Sequence, residues 1–356
     1  MSIQKILVIR FRRVGDATLA AALCSTLRKS FPEAQIHYVL NENIAPLFEH
    51  HPAIDKIITF SDEEMHKICR YVGKVKRIMK EGNYDMIVDT RSTIKTLFFS
   101  LFSLKTKYRV GRQKAYNWII QNYRTDNRYK GGKDNVELVL SLLDPLTEKF
   151  PIEKDPVFKL YYTENEKESF RKYMVSKGID FSKPVIVASV GARLNHKIWA
   201  AEKMKGVLLR ILNKYDVQVI FNYSGEKEKL YAEAMHKELN FHKRVFVNIE
   251  AKSLRELVVL FANSDFFFGN EGGPRHISQA LEIPSFAIFS PTCDLGHWLV
   301  NQSEKYQGIE ARDINSGMAN DKQISNDDKF ALVDVESVWE RVDYMLLANN
   351  MKTNID

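Results

Sequence analysis

Between residues 266 and 291 the chain reads FFFGNEGGPRHISQALEIPSFAIFSP. Three consecutive phenylalanines have the composition of a strand buried on both faces. The run then breaks into an acid, two glycines, a proline, an arginine and a histidine ahead of an amphipathic stretch. Those residue types suit an anion. Gly272 and Gly273 let a backbone approach a ligand closely and expose successive N–H groups as a nest. Pro274 fits the first position of a helix, with Arg275 and His276 in its first turn. A diphosphate fits such a helix N-terminus. Glu271 is the odd member, because an acid repels a phosphate; it either holds loop amides or accepts a sugar hydroxyl. An ordinary Gly-Gly turn with a capping acid has the same letters.

Three more loops carry groups of the same kind. After PVIVASV (184–190) comes GARLNHKIW, where Lys197 stands just ahead of a helix and offers a point charge to a phosphate, unless it is a plain surface lysine. After DVQVIFNY (216–223) comes SGEKEK, where Glu226 opens a helix and either accepts from a ribose or only favours the helix dipole. Near the N-terminus RFRRVGD (10–16) brings Asp16 to the start of a helix, where an Asp is commonly a cap and otherwise a base.

Positioning such loops requires strands that end together. KILVIR (5–10), QIHYVL (35–40) and YDMIVDT (84–90) read as strands in the first half, and PVIVASV, DVQVIFNY and SDFFFGN (264–270) in the second. Between them lie segments with helical spacing: GDATLAAALCSTLRKSFP, WAAEKMKGVLLRIL, and SLRELVVLFANSD with a capping box of Ser253 and Glu256. Apolar strands alternating with amphipathic helices predict parallel sheets covered on both faces. The expected architecture is α/β, with two Rossmann-like lobes facing across a cleft: 1–165 and 166–356, divided in the polar stretch 162–184. A last helix over 335–349 is free to pack back on the first lobe. Ligands collect at the carboxyl ends of such strands, and all four loops lie there.

At 356 residues and 45% hydrophobic composition, the chain is long enough for two cores. The longest apolar run, LFFSLFSL (97–104), is far too short to span a bilayer and reads as a core helix. The run ILVI stops at Arg10, so no signal peptide is expected, and three widely spaced cysteines offer neither a disulfide framework nor a metal pattern. A cytoplasmic location follows. The net charge of +7 is uneven: residues 66–133 hold 17 Lys+Arg against 4 Asp+Glu, a net +13, which leaves −6 on the rest. Aromatics such as Phe98, Phe99, Phe102, Tyr116, Trp118 and Tyr129 stud that basic stretch. It suits an anionic membrane face or nucleic acid, or is a solvated helical surface. No nucleic-acid-binding motif accompanies the charge, and no strand leads into the G-x-G-x-x-G of a dinucleotide-binding dehydrogenase.

Taken in order, these loops resemble the ADP-heptose:lipopolysaccharide heptosyltransferases, glycosyltransferase family nine, whose fold is GT-B. ILVIRFRRVGDATLAAALCSTLRKSFPEAQIHYVL looks like the family's opening strand, Gly-Asp loop and helix closing in Phe-Pro. SLRELVVLFANSDFFFGNEGGPRHISQALEIPSFAIFSPT is similar to its hallmark, which normally reads Gly-Asn-Asp-Ser-Gly-Pro-x-His. Lys197 with Trp199, and the Gly-Glu around Glu226, are weaker matches. The resemblance implies inverting transfer of a heptose or related sugar from an ADP-sugar to the Kdo/inner-core region of lipopolysaccharide. Asp16 would be the general base, Lys197 with Gly272, Gly273 and His276 would hold the donor diphosphate, Glu226 the ribose, and Glu271 would sit near the donor sugar. Arg12 and Arg13 would meet the acceptor. The donor is a co-substrate; no cofactor or metal is implied. The implied partners are the nucleotide-sugar and an anionic glycolipid, not nucleic acid. The protein would rest peripherally on the inner face of the cytoplasmic membrane through residues 66–133.

Three positions depart from the family pattern. Arg12 and Arg13 replace Ser-Ser, Glu271 is one methylene longer than the hallmark Asp, and Gly272 lacks the hydroxyl of the usual Ser or Thr. Competing expectations are a degenerate GT-B protein that binds nucleotide or glycan without turnover, and a family variant with a different donor or a protein acceptor.

Overall fold

Runs of apolar residues become parallel strands because only strands covered on both faces can bury every side chain. The computed structural model describes residues 3–126, 128, 129 and 131–354. The chain divides into two compact units, Met1–Tyr161 and Tyr162–Asp356, where the sequence placed the boundary at 165/166. The polar stretch contributes the helix Glu164–Ser176, capped reciprocally by Thr163 and Glu166.

The first unit has β1 (Lys5–Ile9), β2 (Gln35–Asn41), β3 (Lys56–Phe60), β4 (Met86–Asp89), β5 (Tyr108–Arg112) and β6 (Tyr123–Thr125). They form one parallel sheet in the order β3-β2-β1-β4-β5-β6. The second unit has β7 (Val185–Ser189), β8 (Gln218–Phe221), β9 (Val245–Phe246), β10 (Phe266–Asn270), β11 (Ser285–Ile288) and β12 (Tyr306–Ile309), ordered β12-β11-β10-β7-β8-β9. Counted from its own first strand, the second sheet has the same doubly wound order as the first. In that order the direction of winding reverses between β1 and β4, and again between β7 and β10, which is where such sheets take ligands.

Helices cover these sheets with the faces their spacing predicts. In Ala201–Lys214, Met204, Val207, Leu208, Ile211 and Leu212 are buried. Ser253 caps Leu254–Ala262 by accepting from the Glu256 N–H, but the Glu256 carboxylate accepts from Lys252 N–H rather than closing the box. The final helix, Val335–Ala348, belongs to the second unit: Val338, Val342, Met345 and Leu346 join Leu208, Ile211 and Leu212 in its core. LFFSLFSL is largely the helix Ile94–Leu101, which buries Leu97 and Phe99 and leaves Leu101 and Leu104 exposed. No helix among the described residues is long and apolar enough to cross a membrane.

The core of the first unit also holds a titratable group. His51 is buried against Tyr161, and burial pushes its pKa down to about 4. An unfolded chain protonates a histidine near pH 6.5, whereas the folded one stays neutral to about pH 4. The unfolded state therefore binds more protons in that window, so the stabilisation is present above about pH 6.5 and is lost as pH falls. Urea titrations of the wild type should lose about 2 kcal/mol between pH 7.5 and 5 from this group. His51→Gln should flatten that part of the profile.

Candidate functional site

In the second unit β10 and β7 run side by side, with Gly269 opposite Ser189. Gly269 has φ +138°, and a Cβ there would stand 2.3 Å from the Ser189 carbonyl oxygen, so the strands meet only because the residue is glycine. Gly269→Ala should cost roughly 2–4 kcal/mol in urea unfolding. Asn270 follows, fully enclosed. Its amide donates to the carbonyls of Ser189 at 3.2 Å and Val190 at 2.8 Å, and its Oδ1 accepts from the Trp199 N–H at 2.9 Å. The Trp199 indole N–H in turn donates to the Val333 carbonyl at 3.0 Å.

That pinning fixes the loop after β7, and Lys197 in it forms an ion pair with Glu271. Their side chains are 19% and 6% exposed. The Cys293 thiol hydrogen-bonds to both. Burial works against the charge on Lys197, but Glu271 and Cys293 outweigh it and raise its pKa. Burial, and then Glu271, raises that of the Cys293 thiol. A protonated lysine thus stands beside the loop, held by the one acid in it.

Gly272 is extended and precedes the helix Gly273–Ala280, in which Pro274 is the second residue rather than the first. The opening N–H groups of that helix have no intrahelical partner and point the positive end of its dipole outward. His276 departs from expectation. Its ring is buried, edge-on to Trp298, and one ring nitrogen lies 2.7 Å from Arg275 Nη2. Burial, then Arg275 and Lys197, drive its pKa well below the ordinary range, so the ring is neutral at pH 7 and carries no charge to set against a phosphate. Since Arg275 donates, that nitrogen accepts. Arg275 itself is buried and also bonds Gln279 Oε1 and the Trp298 carbonyl; burial lowers its pKa to about 10. Arg275 and His276 therefore form a buried brace behind the loop. Glu226 is the exposed second residue of Gly225–Glu238, and Gly225 at φ +76° makes the turn ahead of it. Its neighbour Lys227 donates to Asn195 Oδ1 at 2.7 Å, tying that helix to the turn carrying Lys197.

In the first unit Asp16 is the third residue of the helix Val14–Ser30, whose cap position is Arg13. It does not cap the helix. Its carboxylate is taken by Arg10, which stands directly after β1 and is 4% exposed. Arg10 also donates to Thr90 Oγ1 at 3.4 Å. Arg12 and Arg13 have φ +71° and +44°, a conformation that side chains resist. The Arg12 N–H donates to Asn41 Oδ1 at 2.7 Å, which holds the turn, and both side chains are exposed.

Sequence reasoning missed Arg10, Asn270 and Cys293. A polar residue directly ending a buried strand was the available signal for the first two, whereas nothing local marks Cys293.

The two doubly wound units, each with its polar loops at the switch point, have the GT-B fold of nucleotide-sugar transferases. The profile of glycosyltransferase family 9 (heptosyltransferase) matches residues 72–315, and the chain belongs to that family. The match includes Lys197, Glu226, Glu271, Gly272, Gly273 and His276 and begins beyond Asp16. Lipopolysaccharide heptosyltransferase 1 of Campylobacter coli is 24% identical over 296 residues, 81% of this chain and 84% of that one. Lipopolysaccharide heptosyltransferase 3 of Escherichia coli is 20% identical over 347 residues, 96% and 99%. A family 9 glycosyl transferase from Veillonella parvula superposes with a TM-score of 0.80 at 17% identity, covering 98% of each chain. The E. coli ADP-heptose lps heptosyltransferase II gives 0.76 at 18%, covering 98% of this chain and 100% of that one.

Proposed function

We propose that this glycosyltransferase moves a heptose or closely related sugar from an ADP-sugar to the Kdo/inner-core region of lipopolysaccharide, with inversion and without a metal. The observation that carries the donor half is the meeting of Lys197, Glu271 and the Gly272–Gly273 helix start at the switch point of the second sheet. A cation and a helix N-terminus together neutralise a departing diphosphate. The names of the relatives support the choice of donor sugar. In the reaction Asp16 takes the proton of the acceptor hydroxyl, the hydroxyl oxygen bonds to the anomeric carbon, and the anomeric C–O bond to the diphosphate breaks to release ADP. Glu226 accepts from the ribose, and Glu271 passes from Lys197 to a hydroxyl of the transferred sugar as the diphosphate takes the lysine.

Calorimetric titration of ADP, UDP and GDP tests the donor class. ADP should bind at least tenfold tighter than the others, and an equal or better UDP would remove the ADP-sugar assignment.

The acceptor is a membrane glycolipid on this reading, and one face of the first unit fits a bilayer. Ile94 (72% exposed), Leu101, Leu104, Trp118 and Ile119 are exposed there. Arg109 bonds both the Leu104 and the Ile120 carbonyls, and Tyr116 bonds that of Ser92, which tethers the 116–120 turn to the residues flanking the helix Ile94–Leu101 on both sides. Lys95, Lys105, Lys107 and Lys114 stand within the same segments. Of the basic stretch 66–133, residues 127 and 130 lie outside the described structure. Apolar side chains among lysines suit an anionic leaflet. Vesicles with anionic lipid should pull down the wild type, and Trp118→Ser with Ile119→Ser should weaken that several-fold; undiminished binding would place the contact elsewhere.

A further inference from the structure

The reaction described above gives no task to the loop that follows β11, residues 289–298. That loop is nevertheless built to hold one side chain in place. It opens in a tight turn, in which the Cys293 N–H donates to the Ser290 carbonyl at 2.8 Å and Ser290 Oγ lies 2.8 Å from Thr292 Oγ1. It closes in the short helix Leu295–Trp298, capped by Asp294, which accepts from the His297 N–H at 2.9 Å. Arg312, beyond β12, pairs with Asp294. The far end is fixed to the helix Gly273–Ala280. Arg275 Nη2 donates to the Trp298 carbonyl at 2.6 Å, and the Trp298 and His276 rings stand edge-on with centroids 5.9 Å apart.

Between those anchors the Cys293 thiol meets both members of the Lys197–Glu271 ion pair. A charged lysine only donates and an ionised carboxylate only accepts, which fixes the direction of each bond. The sulfur accepts from Lys197, and the S–H donates to Glu271. Among the described residues, no side chain other than these two hydrogen-bonds to the Glu271 carboxylate. That matters at one moment of the reaction. When the diphosphate takes Lys197, Glu271 loses its cation while its side chain is only 6% exposed. An enclosed carboxylate without a partner is costly. The thiol stays behind, because the turn at Ser290 and the anchor at Trp298 hold its backbone independently of the lysine.

We propose that Cys293 is the positioning residue for Glu271: its S–H keeps the carboxylate seated while the lysine is away, so that the acid meets a hydroxyl of the transferred sugar. The proposal rests on the reading of the second unit as an ADP-sugar site. Cys293 touches no reacting atom. It acts through Glu271, and therefore on the sugar rather than on the nucleotide. A thiol is a weak donor, which suits an acid that changes partners twice in each turnover. Glu271 goes to the sugar as the donor arrives, and back to Lys197 as ADP leaves.

The test compares Cys293→Ala, Cys293→Val and Cys293→Ser in the full chain, by calorimetry with ADP and with ADP-heptose. Valine fills the space of the thiol without its donor, which separates the hydrogen bond from packing. Alanine and valine should each weaken ADP-heptose by about tenfold, the effect of one hydrogen bond to a charged group, without weakening ADP. Serine donates in the same direction and should restore the wild-type affinity for ADP-heptose or exceed it. Infrared spectroscopy supplies a second readout. The S–H stretching band that Cys293→Ser removes should move to lower frequency when ADP is added, because Glu271 freed of Lys197 draws the proton harder. A valine variant that binds ADP-heptose like wild type overturns the proposal. So does a serine variant as weak as alanine, or an S–H band that ADP does not move. The underlying reading fails separately: a wild type that binds neither ADP nor ADP-heptose removes the donor site, and the role of Cys293 with it. A wild type that binds both, beside three variants that bind them alike, removes the role of Cys293 alone.

Discussion

Asp16→Asn should leave ADP binding unchanged and slow sugar transfer by about 10²–10⁴-fold, the usual contribution of a positioned base. Asparagine keeps the size and an acceptor oxygen for Arg10, so the fold loses little shape, but it cannot take the proton of an attacking hydroxyl. The measurement is single-turnover release of ADP from an ADP-sugar, alongside a calorimetric titration of ADP. Asp16→Glu should recover part of the rate, because the carboxylate returns slightly misplaced. A full-speed Asn variant would mean that another group takes the proton.

The second large effect lies in the second unit. Lys197→Ala should weaken ADP by about 10–100-fold, since a charge-assisted hydrogen bond contributes about 1.5–3 kcal/mol. Part of that loss comes from Glu271, which the substitution leaves enclosed without its cation and facing the diphosphate. The double variant Lys197→Ala/Glu271→Gln should therefore bind ADP better than Lys197→Ala alone, a coupling that a double-mutant cycle isolates. Glu271→Gln by itself should bind ADP at least as well as wild type and lose affinity for the intact ADP-sugar. Additive effects in the cycle would show that the ion pair is not displaced by the nucleotide.

Much of the scaffold was legible because buried parallel strands announce themselves. KILVIR, YDMIVDT, PVIVASV, DVQVIFNY and SDFFFGN each contain an observed strand. The edge strands β6 and β9 were not legible, because Tyr123–Thr125 and Val245–Phe246 are three and two residues long and carry no period. The loops were found by composition, but what their side chains touch was not. Asp16 reads as a helix cap because an acid opening a helix commonly is one; it takes an arginine six residues upstream only because the β1 loop doubles back through two left-handed residues. His276 reads as one of the first-turn groups that would meet a diphosphate, yet the helix turns it inward onto Trp298. Periodicity says which face of a helix is apolar. It does not say that a neighbouring loop will cover a polar side chain. The Lys197–Glu271–Cys293 cluster joins residues up to 96 positions apart, and no local pattern encodes such a meeting.

The contact at Gly269 bears on how the site can change over generations. Where β10 meets β7 the floor beneath the Gly272–Gly273 loop is bare main chain, with no room for even a methyl group. Inherited variation cannot remodel that floor without parting the sheet, and Asn270, which ties three segments together, is scarcely freer. Under the proposed donor role of this loop, new sugar preferences would arise one step further along, in the residues that follow the strand. That is where this chain has a longer acid and a glycine in place of a hydroxyl. A laboratory search for altered donors would do well to randomise 271, 272 and 191–196 and leave 269 and 270 alone.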